Sequence, residues 1–398
     1  MIYIGIFVLC IILSTLSVVG IFFSICRRQA VWLLAISMLC ACLVVAWVYY
    51  PRSYERNYLT QNTASDNSYL STLVRSKGFE LGAAVRTLTQ LNEHNYSKIF
   101  TSVTPENLLK LEGVLENIDQ QKYNFNSADA MVDQALNKGF RVRGHALVFG
   151  KASDMFKAPD LDAWLEQFPE HKRASILTDF MLKHIEIMLD HYRGRIHEWD
   201  VVNEVLDLFG NGDIEENVFY RYVGPDYIKL ALKAARQADP TIKIYINEQF
   251  NNYTDKRAES FYQLIKSLVD EGLPLDGIGI QGHSLYNLAP PVTLKAYMQR
   301  FEALGLTVEI TELEARLRLF NSAKDPYLAQ GEYYRDIAQQ CLEVAACKGI
   351  TFWGYNDATS WMDDLYFLFP KPNQPYLLDH NNQVKPAVGL LSELLSSF

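Results

Sequence analysis

The sequence has no excess of positive charge. Lys and Arg number 37 against 46 Asp and Glu, a net charge of −9 over 398 residues. Nucleic-acid binding needs a basic stripe that displaces phosphate counterions, so a nucleic-acid partner is excluded. Also absent are G-x-G-x-x-G and G-x-x-x-x-G-K-[ST] loops, an H-E-x-x-H pair among the 8 His, and a G-x-S-x-G elbow. Those gaps argue against nucleotide binding, metal-dependent hydrolysis and serine-type hydrolysis. There is no cysteine framework either. Cys10, Cys26, Cys40 and Cys42 lie in or beside apolar N-terminal segments. Cys341 and Cys347 fall on a stretch whose pattern predicts one helix over 328–347. Six helical positions set them about 9 Å apart along the axis. That is too far for a disulfide, so none is expected.

Charge is missing most completely at the N-terminus. Residues 1–50 hold no acidic side chain, and their only basic ones are Arg27 and Arg28. The runs 2–26 and 30–50 are each long enough to cross a bilayer as a helix. The second ends in Trp47, Tyr49 and Tyr50, side chains suited to the membrane interface. The expected organisation is a two-helix transmembrane anchor over 1–50, a polar linker or cap over 51–76, and a catalytic domain over 77–398. Arg27-Arg28 between the spans favours a cytoplasmic turn, so the large domain would be extracytoplasmic, periplasmic or extracellular. Membrane lipid is then a partner of the N-terminal helices.

From residue 80 short apolar runs alternate with helical patterns. Strands are expected at 81–85, 99–104, 141–149, 196–203, 243–248, 277–283, 307–312 and 349–355. Helical stretches include 173–191, 226–238, 255–271, 293–304 and 328–347. Eight such units predict an α/β fold, a (β/α)8 TIM barrel preceded by two transmembrane helices. An open doubly wound sheet is the rival, and no phosphate loop supports it.

Polar residues follow nearly every strand: Glu106 and Asn107, His145, Asn203 and Glu204, Asn247 and Glu248, Gln281 and His283, Glu312, and Trp353 with Asp357. Each alone is most simply a capping or structural side chain. Together they would converge on one barrel face, where active sites form. Trp199-Asp200-Val201-Val202-Asn203-Glu204 and Val308-Glu309-Ile310-Thr311-Glu312 each run an apolar strand into a carboxylate. Glycosidic cleavage needs two carboxyl groups, one to protonate the leaving oxygen and one to attack the anomeric carbon or activate water. Glu204 is the expected general acid/base and Glu312 the expected nucleophile, held ionised by a donor such as His283. Glu309 and Glu314 are rivals for the second role. Glu309 has the opposite strand parity to Glu312, so at most one of the two would face the barrel interior. Glu314 would lie deeper in the following loop.

At these residues the chain resembles glycoside hydrolase family 10, the family of endo-β-1,4-xylanases. The likeness covers roughly 77–395. It rests on WDVVNE ending at Glu204, ITEL around Glu312, Thr104-Pro105-Glu106-Asn107 with Lys110, Arg143-Gly144-His145, Gly279-Ile280-Gln281-Gly282-His283, Trp353-Gly354 with Ser360-Trp361, and Lys385-Pro386-Ala387. The resemblance implies net retention of configuration, with no metal and no organic cofactor. It also implies sugar subsites lined by Asn107, Lys110, His145, Asn203, Gln281 and His283, and walled by Trp353 and Trp361.

Three departures bear on substrate. Phe149 and Gly150 stand where the family has Trp and His, Lys151-Ala152-Ser153 replaces polar residues, and Glu314 stands where Asp is usual. The expected substrate is therefore a polysaccharide of xylan-like or cell-envelope/exopolysaccharide type, cut at β-glycosidic bonds by double displacement. A non-catalytic membrane-anchored carbohydrate-binding barrel is the alternative. It predicts loss of a catalytic carboxylate, and neither is lost.

Overall fold

The computed structural model describes residues 68–150, 160–207, 210–365, 368–369, 371 and 373–398. The anchor expected at 1–50 and the linker as far as residue 67 lie outside the described residues. Among the described residues no helix is long and apolar enough to cross a membrane. The chain divides into two compact units, and the larger comprises Thr63–Ser360 and Gln374–Phe398.

That unit is built on eight parallel strands: β1 (Glu80–Val85), β2 (Ser102–Pro105), β3 (Arg141–Val142 and Gly144–Phe149), β4 (Glu198–Asn203), β5 (Lys243–Glu248), β6 (Gly277–Ile280), β7 (Thr307–Ala315) and β8 (Cys347–Phe352). The ladder runs β2, β1, β8, β7, β6, β5, β4, β3. Its ends meet at β3, which is interrupted at Arg143. Arg141–Val142 pairs with β2, and Gly144–Phe149 pairs with β4. Counted as one strand, the two halves close the sheet into the expected barrel.

Helices follow the strands because the sequence between them carries a 3.6-residue apolar stripe. In Tyr227–Ala238 the buried positions are Tyr227, Ile228, Ala231, Leu232 and Ala235. Asp255 starts Lys256–Asp270 by accepting from the Ala258 N–H at 2.8 Å, and Asp325 does the same for Pro326–Leu342 through Leu328 at 3.1 Å. The domain begins earlier than residue 77. Ser68–Ser76, inside the expected linker, is a helix. Leu70 and Val74, four apart on one face, are fully buried in the core.

Polar side chains cross-link the barrel's interior. Arg143 pairs with Asp200 on β4 at 2.5 Å and with Glu309 on β7 at 3.0 Å. Arg141 reaches Glu198 at 3.0 Å and Glu309 at 3.3 Å. Burial and the Glu309 charge push Glu198 up to about 8, against the pull of both arginines. Because β3 and β7 are not neighbours, the Arg143–Glu309 contact must pass through the interior. Glu312 also contacts a non-neighbouring strand, bonding Asn247 on β5 at 2.7 Å. Both glutamates therefore point inward, against the parity expectation. The β7–β8 register shifts between Val308 and Ile310 and again between Ile310 and Leu313, which breaks strict alternation. Glu314 is on the strand rather than in the loop, and it is fully buried.

The helix expected over 328–347 stops at Leu342. Two successive turns, Val344 N–H to Cys341 O and Cys347 N–H to Val344 O, then fold the chain back. Cys341 and Cys347 come to a Cα separation of 5.3 Å and form a disulfide, contrary to the expectation from one continuous helix. Closing so short a loop stabilises a fold by about 2 kcal/mol in the chain-entropy picture. Reduction, or the Cys341→Ala/Cys347→Ala pair, is expected to lower Tm by several degrees in a thermal melt. Peptide mapping that finds both thiols free in the folded protein would remove the bond.

Candidate active site

The C-terminal strand ends gather most of the predicted residues. Glu204 follows β4 with φ +56°, a left-handed backbone that costs a non-glycine residue on the order of 1 kcal/mol. Its N–H bonds the Asn247 carbonyl at 2.9 Å, which fixes the turn. Gln281, just past β6, donates Nε2 to Glu204 Oε1 at 3.2 Å and lies 3.5 Å from Asn203 Oδ1. Asn203 Oδ1 also accepts from Asn247 Nδ2 at 2.9 Å, and the same amide reaches Glu312 Oε1 at 2.7 Å. Glu204 and Glu312 are thus joined through three uncharged amides. Glu312 is buried, and Glu204 is the more exposed of the two.

Glu312 accepts on its other oxygen from His283 Nε2 at 3.0 Å. His283 Nδ1 lies 2.6 Å from Glu314 Oε1. Burial alone would lower this imidazole's pKa. Glu314 first, then the bonds to both carboxylates, override it and raise it from 6.5 to about 10. His283 is therefore an imidazolium through the neutral range, with both nitrogens committed to carboxylates. That engagement matches the expected donor that holds Glu312 ionised.

His145 on β3 bonds Asp200 Oδ2 through Nδ1 at 2.9 Å. Burial pushes Asp200 up, but Arg143 with His145 holds it below the ordinary carboxylate range. Trp353, after β8, meets the His145 ring edge-on at 5.0 Å and the His283 ring at 6.3 Å. Its indole spans the two histidines. At the end of β2, Lys110 donates to Asn107 Oδ1 at 2.9 Å, and its ammonium lies 5.6 Å from the centre of the Phe149 ring. Asn107 Nδ2 reaches Glu106, which is paired with Arg86 at 3.0 Å. Trp361 belongs to the other unit, Met1–Asn62 with Trp361–Asn373. Within its own segment it meets Phe369 edge-on at 5.4 Å. Among the described residues no group of three or more His, Cys, Asp or Glu is arranged to hold a metal ion.

Sequence reasoning passed over four residues. Asn247 was visible as a polar residue ending an apolar strand, but its role as the link between Asn203 and Glu312 was not. Asp200 carried its signal inside the WDVVNE segment. Glu314 read as a rival nucleophile rather than as the second partner of His283. Tyr376, whose hydroxyl reaches Glu314 Oε2 at 3.1 Å, gave no signal.

A pH dependence follows from His283. Its folded pKa is raised, so its stabilisation is complete below about 6.5, the unfolded value, and is lost as pH climbs through about 10. An NMR titration should find this ring proton leaving near 10 in the wild type. In Glu314→Gln it should leave at distinctly lower pH, and an unmoved midpoint would acquit Glu314 as the cause.

The family model for glycosyl hydrolase family 10 matches residues 69–393. Endo-1,4-beta-xylanase 1 of Humicola insolens is 30% identical over 322 residues, which cover 79% of this chain and 71% of that protein. Endo-1,4-beta-xylanase B of Thermotoga neapolitana is 32% identical over 298 residues, covering 74% and 81%. Native xylanase 10B of Thermotoga maritima superposes with a TM-score of 0.71 at 28% identity, covering 82% of this chain and 98% of that one. Xylanase 10B of Thermotoga petrophila, solved in complex with xylobiose, gives 0.71 and 28%, with 85% and 98% covered. A match across nearly the whole barrel, in fold and in sequence alike, shows that this chain belongs to glycosyl hydrolase family 10 and is a retaining glycoside hydrolase.

Proposed function

We propose that the enzyme cleaves the β-1,4-linked backbone of a xylan-like polysaccharide by double displacement, with Glu312 as nucleophile and Glu204 as general acid/base. The observation that carries the assignment is the different bonding of the two carboxylates. Glu312 accepts from an amide at 2.7 Å and from an imidazolium at 3.0 Å, one donor to each oxygen. Those donors aim it as an attacking group. Glu204 is more exposed and sits beside a neutral amide donor, which suits a group that must gain and lose a proton.

In the first step Glu204 protonates the leaving oxygen while Glu312 attacks the anomeric carbon. This gives a covalent glycosyl-enzyme. Attack discharges Glu312, and the loss of that nearby negative charge makes Glu204 the better base for the water of the second step. Asn203 bonds the hydroxyl next to the reacting carbon. Asn107, Lys110, His145 and Gln281 hold further hydroxyls, and Trp353 offers an apolar face to the ring. Trp361 is proposed as a second wall on the family resemblance alone. The relatives are named xylanases, and one was solved with xylobiose, which favours a xylan-like chain over a cell-envelope glycan.

The catalytic domain is further proposed to be tethered to a membrane through residues 1–50 and to work outside the cytoplasm. The apolar runs 2–26 and 30–50 support the tether. The Cys341–Cys347 disulfide supports an oxidising compartment.

Trapping with an activated 2-fluoro-xylobioside followed by peptide mapping should label Glu312. Glu312→Gln should take no label, and Glu204→Gln should lose between a hundredfold and ten-thousandfold in kcat on xylan, as removal of a general acid/base does. Label on Glu309 or Glu314 with an active Glu312→Gln would overturn the assignment. Cleavage of envelope glycans without cleavage of xylan would overturn the substrate.

A further inference from the structure

The final segment of the barrel unit reaches back to the carboxylate site. Tyr376 is fully buried, and its hydroxyl donates to Glu314 Oε2 at 3.1 Å. The other oxygen of Glu314 holds His283 Nδ1 at 2.6 Å, and His283 Nε2 holds Glu312 at 3.0 Å. We infer that Tyr376 is a positioning residue for the nucleophile, acting through Glu314 and His283. The inference rests on the proposed role of Glu312.

The tyrosine is built into its place. Gly354, next to Trp353, has no side chain, and a Cβ there would run into the Tyr376 ring. The backbone of Tyr376 is fixed from both sides. Its N–H bonds Asp357 Oδ1 at 2.8 Å, and the preceding Pro375 carbonyl accepts from the Tyr334 hydroxyl. The following Leu377 carbonyl accepts from Lys385 N–H at 2.9 Å. Asp357 is in turn paired with Lys385 at 3.2 Å. A side chain held this firmly passes little freedom to its hydroxyl, so the hydrogen bond fixes the rotation of the Glu314 carboxylate.

That rotation matters because Glu314 must present one oxygen squarely to His283. A hydrogen bond on the second oxygen limits how far the carboxylate can swing, and with it how far His283 can move from Glu312. Tyr376 supplies the second point of attachment. The Glu314 side chain is one methylene longer than the Asp usual in the family and has one more rotation to restrain. The hydroxyl also shares in satisfying a charge that is fully buried.

The test is a double-mutant cycle in the full chain, preceded by trapping of the wild type with the 2-fluoro-xylobioside. Label on Glu312 upholds the premise, and label elsewhere overturns both the premise and this relay. Tyr376→Phe keeps the ring and removes only the hydroxyl, so folding is preserved. It is expected to lower kcat on an aryl xylobioside roughly tenfold or more with KM unchanged, the signature of a group needed in the transition state and not for binding. Tyr376→Phe combined with Glu314→Gln should be no worse than Glu314→Gln alone, because both act on one chain of contacts. A lower Tm with unchanged kcat and KM would assign Tyr376 to stability only and overturn the relay, as would losses that multiply in the double variant.

Discussion

Arg143 places a buried positive charge among the carboxylates of the barrel's interior. A guanidinium buried among apolar strands is strongly unfavourable unless its donors are met by carboxylates. Asp200 on the neighbouring β4 and Glu309 on β7 across the interior meet them at 2.5 and 3.0 Å. The same residue falls at the break in β3, whose first half pairs with β2 and whose second half pairs with β4. Neutralisation of the barrel's interior thus centres on one position. Above this ionic layer the contacts become amide to amide, through Asn203, Asn247 and Gln281, and the chemistry sits on top. The gradation has a physical consequence. Asp200, anchored by Arg143, holds His145, and the neutral amides join Glu204 to Glu312 without adding charge beside them.

The strand count and the strand ends were legible because both are local. Alternation of apolar runs with helical stripes marks each unit. A polar residue closing an apolar strand is conspicuous wherever the barrel face is functional. Glu204, Glu312, His283 and Gln281 were found that way. What the sequence hid was of three kinds. The inward pointing of Glu309 together with Glu312 depends on two register shifts in β7–β8, and no single-strand pattern carries a bulge in its neighbour's pairing. The disulfide depends on where a helix stops. The stretch Glu343–Ala346 still has helical composition, and the turns that bring Cys347 back to Cys341 are set by the need to begin β8. Tyr376 lies 62 residues from Glu314 in a segment without regular structure, so only the folded chain joins them.

The two histidines show how one side-chain type takes two roles from its surroundings. His145 has one carboxylate partner, Asp200, whose charge is already engaged by Arg143. His283 has two carboxylate partners, and together they keep the proton on the ring to about 10. Trp353 meets both rings edge-on. The imidazolium bonded to Glu312 gives one of two chemically identical side chains a surrounding of its own. Such an asymmetry is what a pair of carboxylates needs in order to divide into nucleophile and acid.

The departures beside this pair are also explained by packing. Gly150 stands where the family usually has histidine, and a Cβ at that position would run into Asn217. Asn217 is not free to move aside. Its Oδ1 caps the helix Val218–Val223 by accepting from Tyr220 N–H at 3.1 Å, and its Nδ2 donates to the Tyr227 hydroxyl at 3.2 Å. The missing imidazole is therefore tied to the way the segment after Glu204 is built, rather than being an isolated surface change. Phe149, the other replacement, keeps an aromatic face but has no N–H, and the Lys110 ammonium lies over it. The result is a cleft wall that has exchanged hydrogen-bond donors for an aromatic surface and a cation while leaving the machinery around Glu204 and Glu312 intact. Selectivity for the proposed substrate should then turn on this wall, where the hydrogen-bonding groups offered to the sugar have changed while the bonds that hold Glu312 and Glu204 have not.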